Sequence, residues 1–381
     1  MDIPYRPLDQ NRQEIRLLKQ SSANIRSGRL HYELIHYTFD EKHPYFALSY
    51  VWGQQELQET IFVDGKMVPV SANLFAALNS ICDASRAATT GADVSSDKWL
   101  KFGPSFGSED YIANFVQIIL RDELVLEIWV DALCINQSND GEKSQQIMLM
   151  PQIYTNAYCV IMWLGKEERN TEIGFKMIRD APSDSMVELV RNGIENPDQW
   201  ESLQRLLARP YWSRVWIIQE VLLSRDSGIL CCGPFRMPWG RFALFLEKLT
   251  SRLLSAATGI PREIIWNPRD SKAPFSLAAM HLDHRYRGSR FSFLDYLVFA
   301  QFRNCSNVRD KVFGVLGLCD SEGIEDFKVD YSKSVNELFR NAARYLIQKD
   351  KNLDVLSACK HFNRSEFVAL CFREEFEWLR D

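Results

Sequence analysis

The sequence predicts an α/β fold: a mostly parallel sheet with helices on both faces, followed by a mainly helical C-terminal region. Three apolar runs, "YFALSY", "VLEIWV" and "YCVIMWLG", have little polar alternation, which is typical of strands covered on both faces. Helical patterns separate these runs along the chain. Strands that alternate with helices favour a parallel sheet.

Residues 1–43 are expected to form an N-terminal tail and a small strand pair, "EIRLLKQ" and "RLHYELIHYTF". The α/β domain follows at residues 44–236. Within it, residues 85–110 are rich in Ser, Gly, Ala and Asp and lack periodicity. They are therefore expected to form a surface insertion that the fold can lose.

Local signals place the other elements of this domain. "TIFVDGKMVPV" predicts a hairpin that turns at Asp64 and Gly65, and Ser71 predicts the cap of the helix "ANLFAALNSIC". "EKSQQIMLMPQIYTNA" is a helix that Pro151 is expected to kink or split, because proline removes a backbone N–H. Two helices, "WESLQRLLARPYW" and "SRVWIIQEVLLS", are expected to break at Arg209 and the proline after it, and "GILCCG" is a closing strand.

Residues 237–381 show mainly helical patterns: "GRFALFLEKLTSRLL", "SFLDYLVFAQFR", "DKVFGVLGL" and "SVNELFRNAARYLI". No linker rich in Gly, Pro and Ser precedes them. This region is therefore expected to pack onto the α/β domain.

Composition excludes several classes of function. The net charge of −5 and the absence of a basic run argue against partners such as nucleic acid or an anionic membrane. No signal core and no run long enough to cross a bilayer are evident, which favours a cytoplasmic protein. The nine cysteines include no CxxC pair, so we expect reduced thiols. His281 and His284 flank Asp283 but have no further ligand cluster nearby, and no metal site is predicted.

The segment "SYVWG" places polar and aromatic groups where a buried strand ends. Ligands of open parallel sheets bind beyond the carboxyl ends of the strands. Ser49, Tyr50 and Trp52 are thus candidate ligand-binding residues, and Gly53 would let the backbone approach a ligand. The alternative is that Trp52 plugs the core and Ser49 forms a turn.

The next strand exit, "DALCINQ", is dense in polar groups. Asp131, Asn136 and Gln137 are further candidates for ligand binding at this mouth. Cys134 lies among apolar neighbours with no histidine nearby in the sequence, so we expect it to be buried and inert rather than a nucleophile.

Glu220 is the most unusual charged residue, because it emerges from the apolar helix "RVWIIQEVLL" with Trp216 one turn earlier. A carboxylate beside an indole in a dry site has a raised pKa and a strong field, as catalytic carboxylates do. The alternative is a structural ion pair with a nearby arginine such as Arg209 or Arg214.

Five blocks carry a family resemblance: "YFALSYVWG", "IWVDALCINQ", "EKSQQIMLMPQIYTNAYCVIMWLG", "RPYWSRVWIIQEV", and "RDKVFGVLGL" with "VDYSKSVNELF". Together they resemble the heterokaryon-incompatibility (HET) domain proteins of filamentous fungi. The resemblance implies a role in non-self recognition and programmed cell death. Lys143 stands where members often have arginine.

HET domains are in turn similar to Toll/interleukin receptor (TIR) domains, which implies a TIR-like, flavodoxin-like sheet. "FALSYVWG" resembles the first TIR strand, and "RVWIIQEV" has the Trp-x-x-x-Glu spacing of NAD-cleaving members. This resemblance implies that Glu220 is a catalytic carboxylate, that Trp216 lies at the site, and that NAD is a substrate rather than a bound cofactor. One carboxylate can suffice, because the nicotinamide leaving group is already cationic. The alternative function is a non-catalytic module that associates with itself or with another incompatibility protein.

Overall fold

The computed structural model describes residues 3–21, 29–41, 43–52, 57–89, 126–181, 196–255, 272–286, 288, 291–319 and 327–355. Within these residues the strands form one nine-stranded mixed sheet, ordered β5-β4-β2-β1-β6-β3-β7-β8-β9. The predicted α/β class is confirmed. The strands are β1 (Ile15–Gln20), β2 (His31–Tyr37), β3 (Phe46–Tyr50), β4 (Leu57–Val63), β5 (Lys66–Ser71), β6 (Glu127–Trp129), β7 (Cys159–Trp163), β8 (Gly228–Cys232) and β9 (Phe235–Pro238).

Four central strands, β6, β3, β7 and β8, run parallel and end at one edge of the sheet. β3 pairs with β7 from Phe46 opposite Cys159 to Tyr50 opposite Trp163. β3, β7 and β8 are buried along their whole length, as unbroken apolar runs require. Antiparallel pairs join β1 to β2 and β6, β4 to β5, and β8 to β9. The sheet is therefore parallel at its centre and mixed at its margins.

The predicted N-terminal strand pair and the predicted hairpin are both present. β1 and β2 are antiparallel partners, and β4 and β5 are joined by Asp64 and Gly65. These two residues have φ of 49° and 75°. Positive φ at both central positions is what a type I′ turn requires, and glycine adopts it without strain.

Six helices lie between the strands of the α/β part that the structure describes: α1 (Ala72–Thr89), α2 (Asp131–Cys134), α3 (Asp140–Asn156), α4 (Thr171–Asp180), α5 (Pro197–Leu207) and α6 (Ile217–Leu223). Ser71 Oγ accepts a hydrogen bond from the N–H of Leu74 over 3.2 Å, which confirms the predicted cap of α1. This helix extends through residues 85–89 of the predicted insertion. Residues 90–110 of it lie outside the described part of the chain.

Helix α3 is not split at Pro151, contrary to one of the two outcomes expected. Asn139 caps its first turn by accepting from the N–H of Glu142 over 3.0 Å. Gly317 packs against the ring of Pro151. A Cβ added at Gly317 would stand only 2.1 Å from Pro151 Cγ. Gly317 thus leaves the room that the proline ring occupies at this contact.

The predicted break at Arg209 is confirmed, since α5 ends at Leu207 and a 3₁₀ turn, Pro210–Ser213, precedes α6. Arg209 has φ −57° and ψ 136°. This extended conformation is the one that a following proline favours.

Five further helices follow within the described residues: α7 (Trp239–Ser255), α8 (Lys272–Tyr286), α9 (Phe293–Gln301), α10 (Asp310–Leu316) and α11 (Val335–Asp350). β9 spans both sides of the domain boundary predicted at residue 236. Helices α8 and α10 pack against α6, so this region contacts the helix that carries Glu220. None of the described helices has both the length and the apolar composition that crossing a membrane requires.

Candidate ligand-binding site

Two neighbouring parallel strands, β3 and β6, place an indole and a carboxylate beside each other at their carboxyl ends. Trp52 and Asp131 each follow their strand by two residues. Trp52 Nε1 donates a hydrogen bond to Asp131 Oδ2 over 2.7 Å. The backbone N–H of Ala132 donates to Asp131 Oδ1, also over 2.7 Å. The carboxylate is thus held by two donors, and it fixes the indole in turn.

The carboxylate of Glu220 lies deeper, among buried hydroxyl groups. Glu220 and Ser49 are each 1% exposed. Ser49 Oγ donates a hydrogen bond to Glu220 Oε2, and Tyr211 OH lies 2.7 Å from Ser49 Oγ. Because Ser49 uses its single proton on the carboxylate, Tyr211 is the donor to Ser49. A chain of two hydroxyls therefore leads from the core to Glu220.

Arg214 connects this buried group to the surface. Its Nη1 donates a hydrogen bond to the backbone carbonyl of Tyr50 and lies 3.8 Å from Glu220 Oε2. Its positive charge also acts on Asp131. One guanidinium is therefore shared by two carboxylates. Its ion pair with Glu220 is long and neutralises the Glu220 charge only in part.

These surroundings change the protonation of both carboxyls. Burial raises the pKa of Glu220 to about 7, and repulsion by Asp131 adds to this, while Arg214 and Ser49 oppose it. Burial also raises the pKa of Asp131, against the effects of Arg214 and Trp52. Near neutral pH the Glu220 carboxyl is thus poised between its two forms, which is how carboxyls that move protons behave.

A cavity of about 850 Å³ opens at this edge of the sheet. Trp52, Asp131 and Gln137 form one wall, and Arg214 and Trp216 form another. Its volume falls in the range of ordinary small-molecule sites, and it lies where ligands of parallel sheets bind. Charged groups and indoles face the same space, so the cavity can accept a ligand that is both polar and aromatic.

The C-terminal region closes the cavity with residues 304–307, Asp310 and Tyr331. This loop is held by backbone bonds, because Val215 N–H donates to the Asn304 carbonyl over 3.0 Å and the Asn304 N–H donates to the Ser213 carbonyl over 2.5 Å. The segment on either side of Arg214 is thereby tied to the C-terminal region.

Asp310 organises this second wall. Tyr331 OH donates a hydrogen bond to its Oδ1 over 2.8 Å, and the Trp216 side chain is close enough to act on the carboxyl as well. Burial raises the pKa of Asp310, opposed by Tyr331, Trp216 and Lys143. The Lys143 ammonium lies 5.1 Å from the centre of the Tyr331 ring. Each wall therefore contains an aspartate beside an indole.

The predicted site residues separate into three groups. Trp52, Asp131, Gln137 and Trp216 line the cavity, and Gln137 Nε2 donates to the Asp131 carbonyl over 2.9 Å. Three others, Ser49, Tyr50 and Glu220, are buried behind the wall, because β3 is covered on both faces.

The remaining two predicted residues do not reach the cavity wall in the described structure. The side chain of Asn136 accepts from Ser138 Oγ over 2.7 Å and forms a local turn. Gly53 lies outside the described residues.

The other reactive residues considered from the sequence, Cys134 and His281, lie in the core. Cys134 is buried, as predicted, and burial raises the pKa of its thiol to about 12. His281 is also buried, which lowers its pKa to about 4. Among the residues that the structure describes, no three His, Cys, Asp or Glu side chains gather as a metal site would require.

Comparison with known proteins shows a similarity that covers part of the chain. Residues 103–220 match the family described as heterokaryon incompatibility protein (HET). The predicted resemblance to this family is therefore confirmed over these residues. The matched range contains Asp131, Arg214 and Glu220.

One curated relative is heterokaryon incompatibility protein 6, OR allele, of Neurospora crassa. The two sequences are 26% identical over 363 residues, which cover 80% of this chain and 48% of the relative. The chain thus spans about half the length of that protein. No solved structure matches this chain, so the TIR-like part of the interpretation stays a prediction.

Sequence reasoning missed the groups that complete the cavity. Asp310 and Tyr331 belong to the blocks "RDKVFGVLGL" and "VDYSKSVNELF", which carried the family resemblance without an assigned role. Tyr211 and Lys143 were likewise given no place in the site. The available signal was an aspartate and a tyrosine in two sequence blocks that carry the family resemblance.

Proposed function

We propose that this protein acts in fungal non-self recognition, and that its cavity binds a nucleotide, with NAD as the candidate substrate. The match to the HET family over residues 103–220 and the name of the Neurospora relative support the biological role. The observation that carries ligand binding is the cavity itself, which places two indoles and four charged side chains at the carboxyl ends of parallel strands.

Glu220 is the proposed catalytic carboxylate for NAD cleavage. In this reaction the bond between nicotinamide and the ribose carbon breaks, nicotinamide leaves with the bonding electron pair, and water adds to the ribose with loss of a proton. Because the departing ring is cationic in NAD, no acid has to protonate it. An ionised Glu220 would stabilise the positive charge that develops on the ribose. Reaching a substrate requires Arg214 to move, since Glu220 does not line the cavity.

A second candidate, a non-catalytic interaction module, is favoured by the burial of Glu220. Its carboxylate is 1% exposed and has Ser49 and Arg214 as neighbours. These are the surroundings of a structural acid. Of the two arginines considered from the sequence, Arg214 is the neighbour, while Arg209 lies 3.0 Å from Glu168 instead.

Nicotinamide release separates the two candidates. The purified chain is incubated with NAD, both as it is and fused to a dimerising coiled coil, and free nicotinamide is measured. A hydrolase releases nicotinamide, and Glu220→Gln abolishes the release while the protein stays folded. Asp226→Asn is the matched control, because this acid pairs with Arg285 on the surface. No release by either wild-type form would favour the interaction module.

A further inference from the structure

We propose that the cavity selects ligands that carry a planar organic cation, and that Asp131 with Trp52 determines this preference. The inference rests on the proposed role of the cavity as a ligand site and narrows the class of ligand. It needs no chemical step, so it can be tested by equilibrium binding alone.

The charges around the cavity favour a ligand that brings a positive charge. Two aspartates, Asp131 and Asp310, and two cations, Lys143 and Arg214, stand on its wall. Glu220 adds a third carboxylate directly behind Arg214. Arg214 is thus the cation next to two carboxylates, Asp131 and Glu220, and when Glu220 is ionised this pair carries one more negative charge than Arg214 can balance in a poorly hydrated site. A ligand cation would neutralise it.

One side of the cavity already combines a carboxylate, an aromatic ring and a cation. Beside Asp310, the Lys143 ammonium lies 5.1 Å from the centre of the Tyr331 ring, and its charge acts on the aspartate. A carboxylate, an aromatic ring and a cation are thus combined within the protein. On the other side, Asp131 and Trp52 supply the carboxylate and the ring, but their cation, Arg214, is shared with Glu220.

The Trp52 ring also suits a flat cation by its shape. Tryptophan is the side chain that attracts cations most strongly through its ring face. The hydrogen bond from Trp52 to Asp131 holds the indole before any ligand arrives, so little side-chain freedom is lost on binding. A flat cation such as a pyridinium can lie against this ring while its charge stays close to the carboxylate.

The ionisation of Glu220 should tune this preference, because the excess charge exists only when Glu220 is ionised. The affinity for a cation is therefore expected to rise between pH 6 and pH 8. The ionisable and hydroxyl groups that act on Glu220 are Ser49 and Tyr50 of β3, Asp131 of α2, Tyr154 of α3, and Tyr211 and Arg214 of the segment before α6. The other elements packed against α6 are β7, α8 and α10, and their titratable groups include Cys159, His281 and Asp310.

The test uses two probes that differ by one methyl group and one charge: 1-methylnicotinamide, a cation, and nicotinamide, which is neutral. Their affinities for the full chain are measured by titration calorimetry at pH 8. We expect the cation to bind about tenfold more tightly. Asp131→Asn should reduce this ratio to about twofold or less, and the matched surface variant Asp226→Asn should leave it unchanged.

Equal affinities in the wild type would overturn the proposal, as would failure to bind the cation at millimolar concentration. Retention of the tenfold ratio in Asp131→Asn would do the same. If that variant does not fold, Glu220→Gln provides the same information, because it removes the excess charge without altering the wall. It should lower the ratio and abolish its dependence on pH, and an unchanged ratio contradicts the proposal.

The probe keeps this test separate from the proposed activity, since 1-methylnicotinamide has no ribosyl bond to cleave. A cation preference without nicotinamide release from NAD supports the selective site and contradicts the hydrolase. Nicotinamide release without a cation preference contradicts only the inference made here.

Discussion

The buried carboxyl of Glu220 should make the protein less stable as the pH rises through neutrality. Its pKa is raised from 4.5 to about 7 in the folded chain, chiefly by burial. This difference of about 2.5 in pKa between the unfolded and folded states corresponds to about 3 kcal/mol of unfolding free energy. The side chain is almost wholly shielded from water, so solvent screening does not reduce this figure much.

The sign follows from proton uptake. Between pH 4.5 and pH 7 the folded state holds the Glu220 proton and the unfolded state has released it, so stability falls as pH increases. The contribution is complete below pH 4.5 and lost above pH 7. Glu220→Gln resembles the protonated form and cannot lose a proton. The unfolding free energy of this variant, minus that of the wild type, should therefore rise by about 2 to 3 kcal/mol from pH 5 to pH 8.

Urea unfolding of both proteins at several pH values measures this difference, in which most other titrating groups cancel. The substitution should not leave Arg214 without partners, because the Tyr50 carbonyl and the charge of Asp131 remain beside it. A difference that stays flat across this range would refute the reasoning. So would one that falls, since it would mean that folding lowers the pKa of Glu220 instead of raising it.

Three other substitutions or modifications test the packing around the site. Gly317→Ala should cost about 1 to 3 kcal/mol in urea unfolding, because the new methyl group would overlap Pro151, whereas Gly240→Ala, which meets nothing within 4 Å, should cost little. Cys134 should resist iodoacetamide at pH 8 until the chain unfolds, because it is buried with a raised pKa, and peptide mapping checks this. Arg16→Ala should cost about 3 to 5 kcal/mol in the same unfolding assay, because it leaves a half-buried glutamate without the guanidinium that holds both its oxygens.

The centre of the fold could be predicted from the sequence because its signals are local. The apolar runs of β3 and β7 report burial on both faces, and the pair Asp64 and Gly65 specifies its own turn. The margins of the sheet could not be predicted in the same way. That β1 pairs with β6 across more than 100 residues of sequence depends on packing that no short segment encodes.

The candidate site divides along the same line. Trp52 and Asp131 could be predicted because each directly follows an apolar strand of a parallel sheet. The spacing of Trp216 and Glu220 suggested one shared helix face, yet Trp216 is turned to the cavity and Asp310, while Glu220 is turned to Ser49 in the core. Trp216 is the N-cap residue of α6, and Arg214, two residues earlier, is extended.

The cavity depends on parts of the chain that the family match does not span. The matched residues 103–220 supply Asp131, Arg214 and Glu220, but the indole that holds Asp131 comes from the end of β3. The opposite wall, with its own aspartate, comes from the C-terminal region. The backbone bonds between residues 213–215 and Asn304 tie that wall to the segment carrying Arg214. A change in the C-terminal loop is therefore expected to act on Arg214, which lines the cavity and lies beside the buried carboxylate.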